Sequence, residues 1–254
     1  MRLPSWVTLV RADNPSPMTL EGTNTYVLRG SGAMAGVVVD PGPLDEGHLA
    51  KVAAVGPVQL ILLTHGHPDH AEGARLFAEM TGAPLAAADR RLVVGTDPLT
   101  SQAVFDDVGG LTVRTVSTPG HTSDSVCFAV EHDEPALLTG DTILGRGSTV
   151  VAHPDGRLRD YLVSLESIRT LAAGRRLALL PGHGPAGGDV ADRARDSLDH
   201  RAERLGQVRA ALAAGATTAM DVVRLVYADV DESLWPAAAQ SVEAQLAYLS
   251  RRDA

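Results

Sequence analysis

An α/β fold with a small all-helical appendage is predicted for this chain, on three observations. Short apolar strands alternate with helix-period segments as far as about residue 188. Their order includes hairpin-like pairs, which excludes a simple doubly wound sheet. After Gly188 the strand-like segments vanish, and three helical stretches follow, near 190–213, 218–228 and 235–250. The division drawn is therefore 1–188 and 189–254.

The elements follow in order. Trp6–Arg11 and Asn24–Leu28 read as strands, separated by the turn residues Asn14, Pro15, Pro17 and Gly22. Gly36–Asp40 is a strand stopped by Pro41-Gly42-Pro43. His48–Val55 is helical, and Val58–Thr64 is an apolar, buried strand. Ala71–Thr81 reads as a helix that Gly82 terminates. Strands follow at Pro84–Ala87, Leu111–Thr115, Ser125–Val130 and Ala136–Thr139. Asp160–Ala172 carries Leu162, Leu165, Ile168 and Leu171 at helical spacing, and Arg176–Leu180 is a last strand before Pro181-Gly182.

Composition narrows the function classes. A chain of 254 residues with 44% hydrophobic residues can bury a core, so disorder is excluded. The one cysteine, Cys127, rules out an internal disulfide and any cysteine-based zinc knuckle, and reads as a core residue. No apolar run is long enough for a membrane span, and the start lacks the apolar stretch of a secretory leader. The expected location is the cytoplasm. A net charge of −9 disfavours coating of nucleic acid at large, but says little about a local cation site. Lys51 is the sole lysine among the basic residues, which reads as the codon bias of a GC-rich bacterial genome.

The chemistry sits at strand ends. Thr64-His65-Gly66-His67-Pro68-Asp69-His70 follows an apolar strand and precedes a helix. His65 and His67, two apart in an extended loop, point to one side. Pro68 delays the helix, so Asp69 and His70 lie at its start and face the same point. Three imidazoles and a carboxylate converging suit zinc. Further donors recur after later strands: His121 in Pro119-Gly120-His121-Thr122, Asp141 in Gly140-Asp141-Thr142, and His183 in Pro181-Gly182-His183-Gly184. Glycine beside each allows close backbone approach.

This ordered set resembles the metallo-β-lactamase superfamily, and within it the lactamase-beta-like endoribonuclease family. The resemblance also rests on Asn14-Pro15 through Tyr26, the Val39-Asp40 strand end, Ile143-Leu144-Gly145, Tyr161 with Ser164-Leu165, and His200-Arg201. It implies an αββα sandwich as the catalytic domain over 1–188, and a winged-helix-like helical domain over 189–254. It implies two zinc ions per chain, with manganese or iron as possible substitutes. His65, His67 and His121 would hold the first and Asp69, His70 and His183 the second, with Asp141 bridging. Aspartate rather than cysteine at 141 points away from antibiotic hydrolysis, towards phosphodiester and thioester hydrolases.

Such a metal pair makes hydroxide available at neutral pH, and Asp69 would orient the nucleophile and accept its proton. The expected substrate is a phosphodiester such as single-stranded RNA. The alternatives are a thioester or lactone, as in the glyoxalase branch, and a non-catalytic binding protein on the same fold, whose signature would be lost ligands. Arg146, Arg157 and Arg159 are the candidates for contacting phosphates, and solvated loop arginines are the competing reading. Asp40 is a candidate for orienting a ligand imidazole, against a plain turn aspartate. Tyr161 is a candidate substrate donor, against a core aromatic. His200 is weighed equally between substrate contact and solvent. His48, His132 and His153 read as solvated, and Thr23, Asn24 and Tyr26 as packing and turn residues near the site.

Overall fold

The computed structural model describes residues 2–250, so Met1 and the last four residues of the 189–254 segment lie outside the described residues. Two five-stranded mixed sheets form the centre. In the first, β1 (Val7–Arg11), β2 (Asn24–Leu28) and β3 (Gly36–Val39) are antiparallel neighbours, and β4 (Val58–Leu62) and β5 (Leu85–Ala86) continue in parallel. In the second the order is β10 (Ala178–Pro181), β9 (Ala136–Gly140), β8 (Val126–Glu131), β7 (Leu111–Ser117) and β6 (Val104–Val108). Only β10 and β9 run parallel there.

Side-chain alternation explains the layering. Tyr26, Leu28, Val37, Val39, Leu60 and Leu62 point inward from the first sheet, onto Val113, Phe128, Val130, Leu138 and Leu180 of the second. The residues between them face outward. Val27, Val38, Ile61 and Leu63 pack with α1 (Glu46–Ala53) and α3 (Ala74–Thr81) through Leu49, Val52 and Phe77. Cys127, Ala129, Leu137 and Leu179 pack with α4 (Leu158–Leu171). Strands buried on both faces read as continuous apolar runs, as these do. The result is the αββα sandwich that the resemblance implies.

The third core does not end at α4. It runs on into α5 (Val190–Ala213), α6 (Ala219–Val226) and α7 (Trp235–Ser250) through Leu205, Val208, Val222, Val223 and Val242. A division at residue 188 thus separates elements that share one apolar core. Asp189 caps α5 by accepting from Ala191 N, and Thr218 and Asp221 form a reciprocal capping box on α6.

Four local expectations need correction. The helix expected over Ala71–Thr81 is interrupted: α2 (Pro68–Ala71) ends, and α3 restarts at Ala74. The break follows from Gly73, whose N donates to Gly42 O and whose absent Cβ would lie 2.6 Å from Pro43 O. The first helix starts earlier than His48, because Asp45 accepts from Gly47 N and His48 N. The edge strand β6 is unforeseen, its Asp106-Asp107 pair lying at a register shift. His48 is buried rather than solvated, with Nε2 3.0 Å from Thr25 Oγ1.

Candidate metal centre

All the expected donors lie beyond the carboxyl ends of strands, on one rim of the sandwich. β4 leads into the loop with His65 and His67 and into α2 with Asp69 and His70. β7, β9 and β10 lead to His121, Asp141 and His183. The two sheets thus each supply part of one cluster.

Within it, His65 Nε2 lies 3.1 Å from His67 Nδ1, which lies 3.0 Å from His121 Nε2. On the other side, His70 Nε2 is 3.2 Å from His183 Nε2, and His183 Nε2 is 3.1 Å from Asp69 Oδ2. Asp141 faces both groups. One oxygen is 3.4 Å from His70 Nε2, and the other is 3.4 Å from His183 Nε2 and 3.7 Å from His121 Nε2. Three sets are close enough to share a cation: His65, His67 and His121; His65, His70 and Asp141; Asp69, His70 and His183.

Hydrogen bonding away from the centre decides which nitrogens face it. His121 Nδ1 donates to Val150 O at 2.7 Å. His70 Nδ1 donates to Asp40 Oδ2 at 2.9 Å. Thr64 Oγ1 donates to Asp40 Oδ2 at 2.7 Å, which leaves it to accept from His65 Nδ1 at 3.0 Å. Three imidazoles are thereby fixed with Nε2 inward. In their neutral form these inward nitrogens carry the lone pairs that a divalent cation would take. Asp141 Oδ1 is buried with no hydrogen-bond partner. The donor set fits a divalent metal.

The protonation equilibria divide the cluster. Burial pulls the pKa of His65 well down, and lowers that of His121, which keeps both in the neutral, ligating form. Burial opposes charge on His70 too, but Asp141 and Asp40 outweigh it and hold its pKa well above the usual range. Burial likewise disfavours the Asp141 carboxylate, yet His70 and His183 hold its pKa well below normal.

Two glycines let the backbone close in. A Cβ on Gly182 would fall 2.5 Å from Asp141 Oδ1 and 2.6 Å from His70 Cε1. Gly140, at φ +47°, would meet Thr64 Oγ1 at 2.5 Å. The His183 loop is fastened to β2: Asn24 Nδ2 donates to Pro181 O and Gly184 O, and Tyr26 Oη donates to Pro181 O.

The remaining candidates fall in different places. Asp40 is buried and accepts three hydrogen bonds, from Thr64 N, Thr64 Oγ1 and His70 Nδ1, at a left-handed φ of 52°. Tyr161 is not placed to donate to a substrate: its ring is in the core and its hydroxyl donates to Thr142 O. His200 is half-buried, outside the cluster, with Nδ1 3.2 Å from Ser148 Oγ. Arg146 pairs with Glu21. Arg157 and Arg159 line a cavity against Ala244, Ala247 and Tyr248 of α7. The cleft beside His67 is instead lined by Asp89, Asp124 and Asp155 with Arg90 and Arg91, and Arg91 is bound to Asp89. Thr64, which links Asp40 to His65, is a functional position that sequence reasoning passed over.

Residues 18–183 match the family model of the metallo-beta-lactamase superfamily, and residues 218–253 match the beta-lactamase associated winged helix domain. The chain is 35% identical to a Drosophila melanogaster protein named beta-lactamase-like protein 2 homolog, over 98% of this chain and 89% of that one. It is 37% identical to an atrochrysone carboxyl ACP thioesterase of Aspergillus fumigatus, over 81% of this chain and 64% of that one. In structure it is similar to a metallo-beta-lactamase family protein from Thermus thermophilus, at a TM-score of 0.82 and 25% identity. That likeness covers 100% of this chain and 96% of the other.

Proposed function

The chain belongs to the metallo-beta-lactamase superfamily, a hydrolase fold, and on that premise we propose that it is a dinuclear metal hydrolase acting on an acyl thioester. The observation that carries the metal reading is the convergence of buried imidazole nitrogens on Asp141, whose Oδ1 accepts no hydrogen bond and lies 3.4 Å from His70 Nε2. His65, His67 and His121 would hold one ion and Asp69, His70 and His183 the other, with Asp141 facing both donor groups. Two zinc ions suit this set of nitrogen and carboxylate donors, and manganese or iron can take the same ligands. When bound, such ions supply an activated water and polarise the oxygen of the bond to be cleaved.

The chain's own residues do the rest. Asp69 is the most accessible of the carboxylates in the cluster, its side chain 28% exposed against 12% for Asp141. It orients the attacking water and takes its proton. Asp40 and Thr64 keep His70 and His65 in the ligating tautomer. No other group within the cluster is free to protonate a leaving group, a lack that a thiolate tolerates because it leaves unaided.

Two observations favour the thioester over RNA. The arginines expected to follow a phosphate backbone are engaged or turned to α7, and the cleft beside His67 carries three aspartates against two arginines, one of them paired with Asp89. A relative 37% identical is named a thioesterase. RNA binding requires cationic contacts to several phosphates. The test is a panel on zinc-loaded protein of acyl thioesters, lactones, an activated phosphodiester and single-stranded RNA, at low and high salt. Rapid, salt-indifferent thioester turnover is expected. Phosphodiester cleavage weakened by salt, with thioesters intact, overturns the substrate assignment.

A further inference from the structure

We propose that Arg201, carried on α5, is a positioning residue for this metal centre: it holds the loop from Asp141 to Val150 in the shape that orients His121 and Asp141. The inference rests on the metal reading above.

Arg201 is 4% exposed and, among the described residues, has no carboxylate partner. A buried guanidinium without a counter-ion is costly, and packing alone would be served by an apolar side chain. Its contacts show what it serves instead. Nη2 donates to the Thr149 carbonyl, and the guanidinium carbon lies 5.1 Å from the centre of the Tyr161 ring. Both contacts lead into the same loop. Thr149 Oγ1 donates to the Asp141 carbonyl at 2.7 Å. The next carbonyl, of Val150, receives the Nδ1 proton of His121. Tyr161 Oη donates to Thr142 O at 2.9 Å. Arg201 therefore touches the far end of the loop directly and its near end through Tyr161. The loop needs outside support, since Gly145 and Gly147 lie within it and Gly147 sits at φ +72°. Arg193, also on α5, donates to Leu144 O and Gly147 O in the middle of the loop, while Thr149 O, next to the carbonyl that holds His121, is reached by Arg201.

Arg204 provides an internal comparison. It stands nearly one turn further along α5, with its guanidinium 4.3 Å from the centre of the Tyr227 ring and Nη1 donating to Val226 O. The bonds are of the same kind, but they stay inside the helical extension.

The test is zinc competition against a chromophoric chelator on full-length protein, well below the unfolding midpoint. Arg201→Met should raise the dissociation constant of one of the two ions by about 10–100-fold, the range for partners that orient metal ligands. Arg204→Met should leave both ions unchanged, although its thermal midpoint falls as well. Arg201→Lys keeps a donor for Thr149 and loses the face over Tyr161, so its constant should lie between wild type and Met. If the Met variant does not fold, the Lys variant decides alone. Unchanged zinc affinity in the Arg201 variants, or equal weakening in Arg204→Met, overturns the inference while the metal reading stands. A wild-type protein that takes up no zinc overturns both.

Discussion

Asp40 Oδ2 and His70 Nδ1 are joined by a 2.9 Å hydrogen bond in which both partners are buried. The bond turns His70 Nε2 toward His183, Asp69 and Asp141. The same carboxylate reaches His65 through Thr64, so one side chain orients two imidazoles of the cluster.

Asp40→Asn separates the charge from the backbone. Asparagine tolerates the left-handed φ of this position as well as aspartate does, so added strain does not confuse the result. The amide, however, offers one oxygen where the carboxylate accepts from three donors. Metal affinity should fall by about 10–100-fold, read by chelator competition. An unchanged affinity would return Asp40 to the status of a turn residue.

Asp141→Ala and Asp69→Asn should divide binding from chemistry. Loss of Asp141 removes the carboxylate that faces both donor groups, so at least one metal is lost and turnover falls by more than the roughly 100-fold seen for orienting partners. Asp69→Asn should retain more metal and lose about 10²–10⁴-fold in rate, the usual contribution of a general base. Elemental analysis alongside steady-state kinetics separates them. Chelation of the wild type should abolish turnover, with recovery when zinc returns.

Gly182→Ala tests how tightly the backbone is held against the site. Gly182 N donates to Gly140 O and its carbonyl receives Asn24 N, both at 2.8 Å, so the chain cannot retreat from Asp141 Oδ1. Forced overpacking of this kind costs about 1–3 kcal/mol. A lowered denaturant midpoint together with lost metal is expected; wild-type values for both would mean that the loop shifts freely.

Thr218→Ala addresses the helical extension. Its hydroxyl accepts from Asp221 N, and loss of such a cap costs about 1 kcal/mol. Hydrogen bonds from the Thr218 hydroxyl and from the Thr217 and Thr218 amides hold the pKa of Asp221 down to about 2. A depressed carboxylate stabilises the fold above its ordinary value near 3.8 and ceases to as pH falls to about 2. Acid titration of the unfolding midpoint should therefore show the wild-type advantage shrinking across that interval. A constant difference would remove Asp221 from the cap.

The sequence is legible where chemistry and local pattern coincide. His65, His67, Asp69 and His70 stand in one short run after a strand, and the later donors each follow a strand and stand beside glycine. Parts that depend on the tertiary fold are not legible. Thr64 matters only because Asp40, just past the end of the neighbouring strand β3, reaches it. His48 looks like a helix-start residue until β2 brings Thr25 against it. Gly73 interrupts a well-formed helical period because Pro43 crowds it from outside the segment. The arginines after Asp141 share a stretch of sequence, but α7 and Glu21 draw them to different surfaces.

The split of donors between the two sheets has a kinetic consequence. Candidate ligands run from residue 65 to residue 183, and the last is delivered by β10, the final strand of the sandwich. A nascent chain with only its first sheet formed presents His65, His67, Asp69 and His70, but lacks His121, Asp141 and His183. A metal held by this set would be acquired late, after the halves have closed, and would work as a clasp across the seam. Interactions absent from the folding transition state act on the rate of unfolding rather than on that of folding. The ion would leave the speed of assembly unchanged and lengthen the lifetime of the closed sandwich.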